Sequence, residues 1–182
     1  MKIAAILAEG FEETEFIAVV DLLRRAKQDV CVVSLTEQLT VVGSHNFKIV
    51  ADVMWADVDF DDIDCIFLPG GMPGVTNLQA SSDVVDMVRK FVQSNKFVAA
   101  ICAAPLVLND AGVLENKKFT CYPATAASIK NGTYSEESVV IDGKIITSRG
   151  VGTALDLGLS MVSVFCSKES AEELRKAVVY GV

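Results

Sequence analysis

The stretch FVAAICAAP, Phe97–Pro105, decides the fold. Phe97–Ile101 is a short apolar run of the kind that forms a strand buried on both faces, and Ala103–Ala111 continues as a helix. Cys102 therefore falls at a strand-to-helix junction, at the sheet edge where open α/β folds place their ligands. The flanking alanines relieve crowding around a side chain held in sparsely populated backbone angles, and a helix N-terminus beside it favours a thiolate. The arrangement follows the logic of a nucleophile elbow without its glycines. The plainer reading makes Cys102 a small buried hydrophobe, as most free cysteines are.

Outward from this junction the same alternation repeats. Lys2–Ala8, Asp29–Ser34 and Ile63–Leu68 read as further strands. Thr14–Lys27 reads as a helix with Phe16, Val19, Val20, Leu22 and Leu23 on one face, and Ser81–Ser94 as another, capped by Ser81 or Ser82. Leu39–Asp52, broken at Gly43 and Ser44, reads as a small hairpin or excursion. Beyond the junction come a short strand near Phe119–Cys121 and a helix over Thr125–Ile129 that ends at Asn131–Gly132. Val139–Ser148 reads as a hairpin turning at Asp142–Gly143 in a type I′ turn. Helices over Gly152–Phe165 and Lys168–Tyr180 close the pattern. Short apolar strands alternating with helices predict an α/β fold with a mainly parallel central sheet, in one domain spanning residues 1–182.

Bulk properties narrow the function. The 182 residues are 51% hydrophobic with four prolines, enough for a core that buries roughly 70% of the unfolded surface. Sixteen Lys and Arg against 24 Asp and Glu give a net charge of −8, which argues against nucleic acid and anionic membrane surfaces as partners. The longest apolar runs, such as Ile3–Ala8, fall far short of the ~20 residues that span a bilayer. MKIAAILAEG runs into Glu12 and Glu13 where a signal peptide would carry its cleavage site, so it reads as a first strand. Five cysteines, Cys31, Cys65, Cys102, Cys121 and Cys166, show no CxxC spacing, and a reducing, cytoplasmic location is expected.

Two loops can reach Cys102. EGFEETE, Glu9–Glu15, puts carboxylates in a first helical turn, which the helix dipole alone would explain. Loops after parallel strands nonetheless converge on one edge, and Glu15 is the candidate for a carboxyl that stays protonated out of water and donates to sulfur. LPGGMPG, Leu68–Gly74, brings Gly71, whose backbone N–H can face an oxyanion or a cysteine oxide; the same glycines also suit an ordinary turn. The single histidine, His45, lies in the excursion and reads as a surface residue. Arg24 and Arg25 read as solvent-facing charges near a helix C-terminus.

Together LAEGFEETE, FLPGGMPG, AAICAAP and TSRGVGTALDLGL resemble the ThiJ/PfpI superfamily, in the branch of the Parkinson-associated protein deglycase, over nearly the whole chain. The resemblance implies a flavodoxin-like three-layer αβα sandwich, a homodimer, Cys102 as the reactive cysteine and Glu15 as its protonated partner. It implies an anion pocket from the N–H groups of Gly71 and Ala103, with Tyr122, Pro123 and Arg149 as further pocket members. The family is linked to glyoxalase and deglycase chemistry on methylglyoxal and its adducts, to oxidant sensing through cysteine sulfinate, and to chaperone-like protection. Ala103 stands where the protease-like branch has a histidine, so a peptidase loses its base. Tyr122 stands where the human protein has a histidine, and His45 where the branch often has arginine. The expected activity is cofactor-independent, cysteine-dependent chemistry on small reactive carbonyls, with no metal. The alternative is an oxidative-stress protein that responds through Cys102 oxidation without significant turnover. Both need the Cys102 thiol well below its ordinary ~8.5.

Overall fold

A computed structural model describes residues 1–181. Strand β1 (Lys2–Leu7) is fully buried from Ile3 onward, because both faces of the sheet are covered. It leads through Glu12 into α1 (Glu13–Arg25), β2 (Asp29–Ser34), a small antiparallel hairpin of β3 (Thr40–Val42) and β4 (Lys48–Val50), and β5 (Val53–Met54). The second half runs through β6 (Cys65–Leu68), α2 (Gly74–Ala80), α3 (Ser82–Gln93), β7 (Phe97–Ile101) and α4 (Pro105–Asp110). Then follow β8 (Lys118–Phe119), β9 (Thr133–Tyr134), β10 (Val139–Asp142), β11 (Ile145–Ser148), α5 (Ala154–Phe165) and α6 (Lys168–Ala177).

The main sheet has seven strands in the order β10-β11-β7-β6-β1-β2-β5, parallel throughout except for the antiparallel edge strand β10. Alternating side chains divide the core: Ala4, Ile6, Ile66, Leu68, Val98 and Ala100 pack toward α2, α3 and α4. Ile3, Ala5, Leu7, Phe67, Ala99 and Ile101 pack toward α1 and α5. Gly158 lets α5 approach α1 closely, since a methyl group there would lie 2.7 Å from Leu22 Cδ1. This is the flavodoxin-like αβα sandwich. The chain winds outward from β1 to β2 and β5, then returns to β6 and β7 on the other side, so the switch in direction lies between β1 and β6.

Several expectations shift. The glycine-rich segment after β6 contains a helix, α2, that turn chemistry concealed, and β5 adds an unforeseen edge strand. Cys121 lies beyond β8, and in place of the α-helix expected over Thr125–Ile129 the chain forms a 3-10 turn over Pro123–Ser128, with Ile129 extended after it. The hairpin pairs Asp142 with Ile145, so its two-residue loop is Gly143–Lys144. Only Gly143 has a positive φ (+63°), which rules out the type I′ turn expected at Asp142–Gly143. Arg24 is also less free than expected: it donates to Val30 O at 3.0 Å and pairs with Asp52, tying α1 to the neighbouring strands.

Candidate active site

Cys102 follows β7 directly, with a φ of +64°, a left-handed conformation that costs an L-residue about 1–2 kcal/mol. The turn is fixed on both sides: Cys102 N–H donates to Ser148 O (3.0 Å), and Cys102 O accepts from Tyr122 N–H (2.7 Å). The sulfur is thereby aimed out of the sheet edge, next to the switch between β1 and β6. Because α4 begins only at Pro105 and is six residues long, a negative charge on sulfur would be favoured chiefly by two discrete groups, the backbone N–H groups of Ala103 and Gly71, which pull the thiol's pKa down.

Glu15 enters from the first turn of α1. Glu12, the N-cap, accepts from Glu15 N–H at 2.6 Å and fixes where that turn starts. The Glu15 side chain is 0% exposed; its Oε2 accepts from Gly70 N–H at 2.9 Å, while Oε1 is buried without a hydrogen-bond partner of ordinary geometry. A methyl group placed on Gly150 would lie 3.8 Å from this Oε1 and 4.0 Å from Cys102 Sγ, so both atoms front the same small space. Gly70 is the residue that permits their approach. A Cβ there would stand 2.5 Å from both Cys102 Cβ and Glu15 Oε2.

Burial pushes the Glu15 carboxyl up to about 7, against hydrogen bonds from Cys102 and Gly70 that act the other way. The Cys102 thiol is pushed up to about 12, first by burial and then by the charge and hydrogen bonding of ionised Glu15, with Ala103 and Gly71 pulling it down. The low thiol pKa expected from the sequence is not found: burial, and then the ionised Glu15 beside it, hold the thiol above its ordinary value. Whichever group ionises first raises the other, and the pair titrates as a unit.

Around the pair lies a cavity of about 450 Å³ lined by Cys102, Glu15, Gly71, Tyr122, Pro123 and Arg149, with Glu12 and the Gly150–Thr153 turn completing it. The sequence-derived candidates are thus brought together, Ala103 through its backbone. Tyr122, 49% exposed, stands at the mouth. Arg149 donates to Glu136 O at 3.0 Å and has no carboxylate within ion-pairing distance among the described residues. Gly70, Glu12, Gly150 and Thr153 were not singled out from sequence; only the second glycine of the Gly70–Gly71 doublet was. His45 lies apart, 66% exposed on its side chain, with Nδ1 2.9 Å from Glu13 Oε2. Glu12, Glu13 and His45 could in principle converge on a cation. The Glu13 carboxylate, however, already meets the N–H groups of His45 and Phe47 and the Ser44 hydroxyl.

Fold and site define a doubly wound α/β protein with an elbow-borne cysteine next to a buried carboxyl. The sequence model of the DJ-1/PfpI family matches residues 1–164, and the chain belongs to that family, in its DJ-1 branch. It is 40% identical over 179 residues, 98% of its length, to Protein DJ-1 homolog B of Arabidopsis thaliana, of which it spans 41%. The crystal structure of Drosophila melanogaster DJ-1beta superposes with a TM-score of 0.95 at 38% identity, covering 100% of this chain and 98% of that one. A deglycase of Thermococcus kodakarensis is 31% identical over 155 residues, covering 84% of this chain and 92% of the relative. No helix among the described residues is long and apolar enough to cross a membrane.

Proposed function

We propose that this protein is a cofactor-independent enzyme that converts small reactive carbonyls, methylglyoxal and its adducts, to hydroxy acids through Cys102. The observation that carries the reading is the buried Glu15 carboxyl, held by Gly70 N–H at 2.9 Å, with its second oxygen unpartnered beside the space that Cys102 Sγ also fronts. A Thermococcus relative named as a deglycase supports the same substrate class.

With the proton on Glu15, the Cys102 thiolate adds to the aldehyde carbon, and the resulting hemithioacetal oxyanion accepts from the N–H groups of Gly71 and Ala103. Glu15 gives its proton to that oxygen and, now a carboxylate, takes the proton from C1 and returns it at C2. The hydroxyl proton meanwhile passes from the C1 oxygen to the C2 oxygen, so C1 becomes a thioester and the ketone an alcohol. The redox change is internal to the substrate, so no external oxidant is required. Water cleaves the thioester, releasing lactate and the thiol. Purified protein incubated with methylglyoxal should yield lactate; turnover no greater than that of Cys102→Ser would remove the proposal.

A second reading, oxidant sensing, has one observation in its favour: the two N–H groups that would hold an oxyanion could equally hold the oxygens of a Cys102 sulfinate. Mild peroxide should then add two oxygens to the intact mass of the wild type and none to Cys102→Ser. Oxidation scattered over the five free cysteines would count against it. We further propose a homodimer, supported by the exposed apolar side chains of Ile17, Phe47 and Val50 on α1 and the β3–β4 hairpin.

A further inference from the structure

Once the aldehyde carbon is bonded to Cys102 Sγ and its oxygen is turned to the N–H groups of Gly71 and Ala103, the rest of the substrate is directed along the cavity. Its second carbon must stay within reach of Glu15, whose buried Oε1 has no hydrogen-bond partner. The open space in front of Gly150 meets that requirement, since a methyl group placed there would lie 3.8 Å from Glu15 Oε1 and 4.0 Å from Cys102 Sγ. The same point is 3.7 Å from Cδ2 of the Tyr122 ring. A sulfur, a carboxyl oxygen and an aromatic ring therefore front one small volume, and the substituent on the second carbon meets the ring.

Although half-exposed, Tyr122 is not a loosely placed surface aromatic. Its N–H donates to Cys102 O at 2.7 Å, and its O accepts from Thr125 N–H at 2.9 Å and from Thr125 Oγ1 at 2.8 Å, so its backbone is tied to the elbow itself. Pro123 follows it, and Val151 stands in the same lining, extending the apolar edge. A charged substituent finds less to meet. Arg149, the one cation in the lining, donates to Glu136 O at 3.0 Å, and Glu12 would repel an anion. At about 450 Å³ the cavity is also far roomier than a methyl-substituted aldehyde requires.

On the basis of the carbonyl chemistry proposed above, we infer that Tyr122 sets the specificity of this site, and that its preferred substrates are 2-oxoaldehydes bearing an aromatic or bulky apolar substituent. The ring offers that group an offset or edge-on contact, while the reacting carbons stay with Cys102 and Glu15. The Tyr122 hydroxyl plays no part in this selection.

Two measurements on the purified protein test it. The first is kcat/KM for phenylglyoxal, which would yield mandelate, against methylglyoxal. The ratio of the two should fall about tenfold in Tyr122→Ala and hold in Tyr122→Phe, at unchanged circular dichroism. The second needs no turnover: alkylation of Cys102 by iodoacetanilide against iodoacetamide, followed by peptide mass. Relative to a free thiol, the wild type should favour the aryl reagent about fivefold, and Tyr122→Ala should lose that advantage. An unchanged substrate ratio in Tyr122→Ala overturns the inference, as does loss of both activities in Tyr122→Phe, which would make the hydroxyl a proton donor. If neither aldehyde is turned over while the aryl reagent keeps its advantage, the carbonyl chemistry fails and the aromatic wall stands. If turnover is intact and the wild type shows no aryl advantage, the wall alone fails.

Discussion

Replacing Glu15 by glutamine keeps the shape of the side chain and removes its proton, and the structure sets the size of the effect. The carboxyl is 0% exposed, and burial lifts it from an ordinary 4.5 to about 7. The folded protein thus holds this proton more tightly than the unfolded chain does. The resulting stability is fully present below pH 4.5 and is lost as the pH rises through about 7. That interval, at 1.36 kcal/mol per pH unit, corresponds to a loss of about 3 kcal/mol, good to order of magnitude. The amide has no proton to lose. Urea unfolding from acid to mildly alkaline pH should show wild-type stability falling relative to Glu15→Gln by about that amount, with the variant the more stable above pH 7. Burial alone raises the Cys102 thiol from its ordinary value and ionised Glu15 raises it further, so Glu15 is the member of the pair that loses its proton across this window. The variant should also lose methylglyoxal turnover, because an amide cannot carry the proton from C1 to C2. Parallel pH profiles for the two proteins would refute the assignment of a buried, proton-bearing carboxyl.

Other consequences follow from the same geometry. Gly70→Ala drives a methyl group to 2.5 Å from Cys102 Cβ and Glu15 Oε2; denaturant melts should register a loss of about 1–3 kcal/mol, together with lost turnover. At the elbow, Cys102→Gly should unfold at a higher temperature than Cys102→Ala, by about 1 kcal/mol of relieved left-handed strain, and equal midpoints would deny that strain. Gly150→Ala places a methyl group 3.7–4.0 Å from Tyr122, Glu15 Oε1 and Cys102 Sγ, so thermal stability should hold while KM for methylglyoxal rises. Phe47→Glu buries a charge in the proposed dimer face, and light scattering should report a monomer with native circular dichroism.

How much of this was legible depends on whether the deciding interactions are local. Phe97–Ile101 is recovered with identical ends because Asn95, at a φ of +58°, and the Cys102 elbow punctuate a run that is apolar throughout. The helix α2 was hidden because its signals are tertiary. It starts on glycine after two prolines and a glycine pair, and it is held by Gly74 N–H donating to Gly10 O at 3.1 Å and by burial of Val75 and Leu78. The strand β5, two residues long, exists through its pairing with β2. The hairpin turn moved by one residue because β11 must also register with β7, and a dipeptide preference does not report that constraint.

The site divides along the same line. Cys102 and Glu15 could be named because each ends or follows a recognisable strand, and a parallel sheet delivers such residues to one edge. The essential character of Gly70 could not, since nothing in the Gly-Gly doublet says which residue must clear the cysteine Cβ and which must turn its N–H to sulfur. Nor could the thiol's charge state be read from its position. A helix of six residues and two backbone donors act on a sulfur that burial and an ionised Glu15 push up to about 12. Loss of the Glu15 charge removes the second of those causes, and its proton can then be donated to the thiolate. The pair is therefore best described by where its single negative charge resides, with Gly71 and Ala103 favouring sulfur and Gly70 favouring the carboxylate. In the proposed chemistry Glu15 carries the proton and no imidazole is needed. This accounts chemically for a chain whose one histidine sits on the β3–β4 turn, engaged with Glu13 and away from the sulfur.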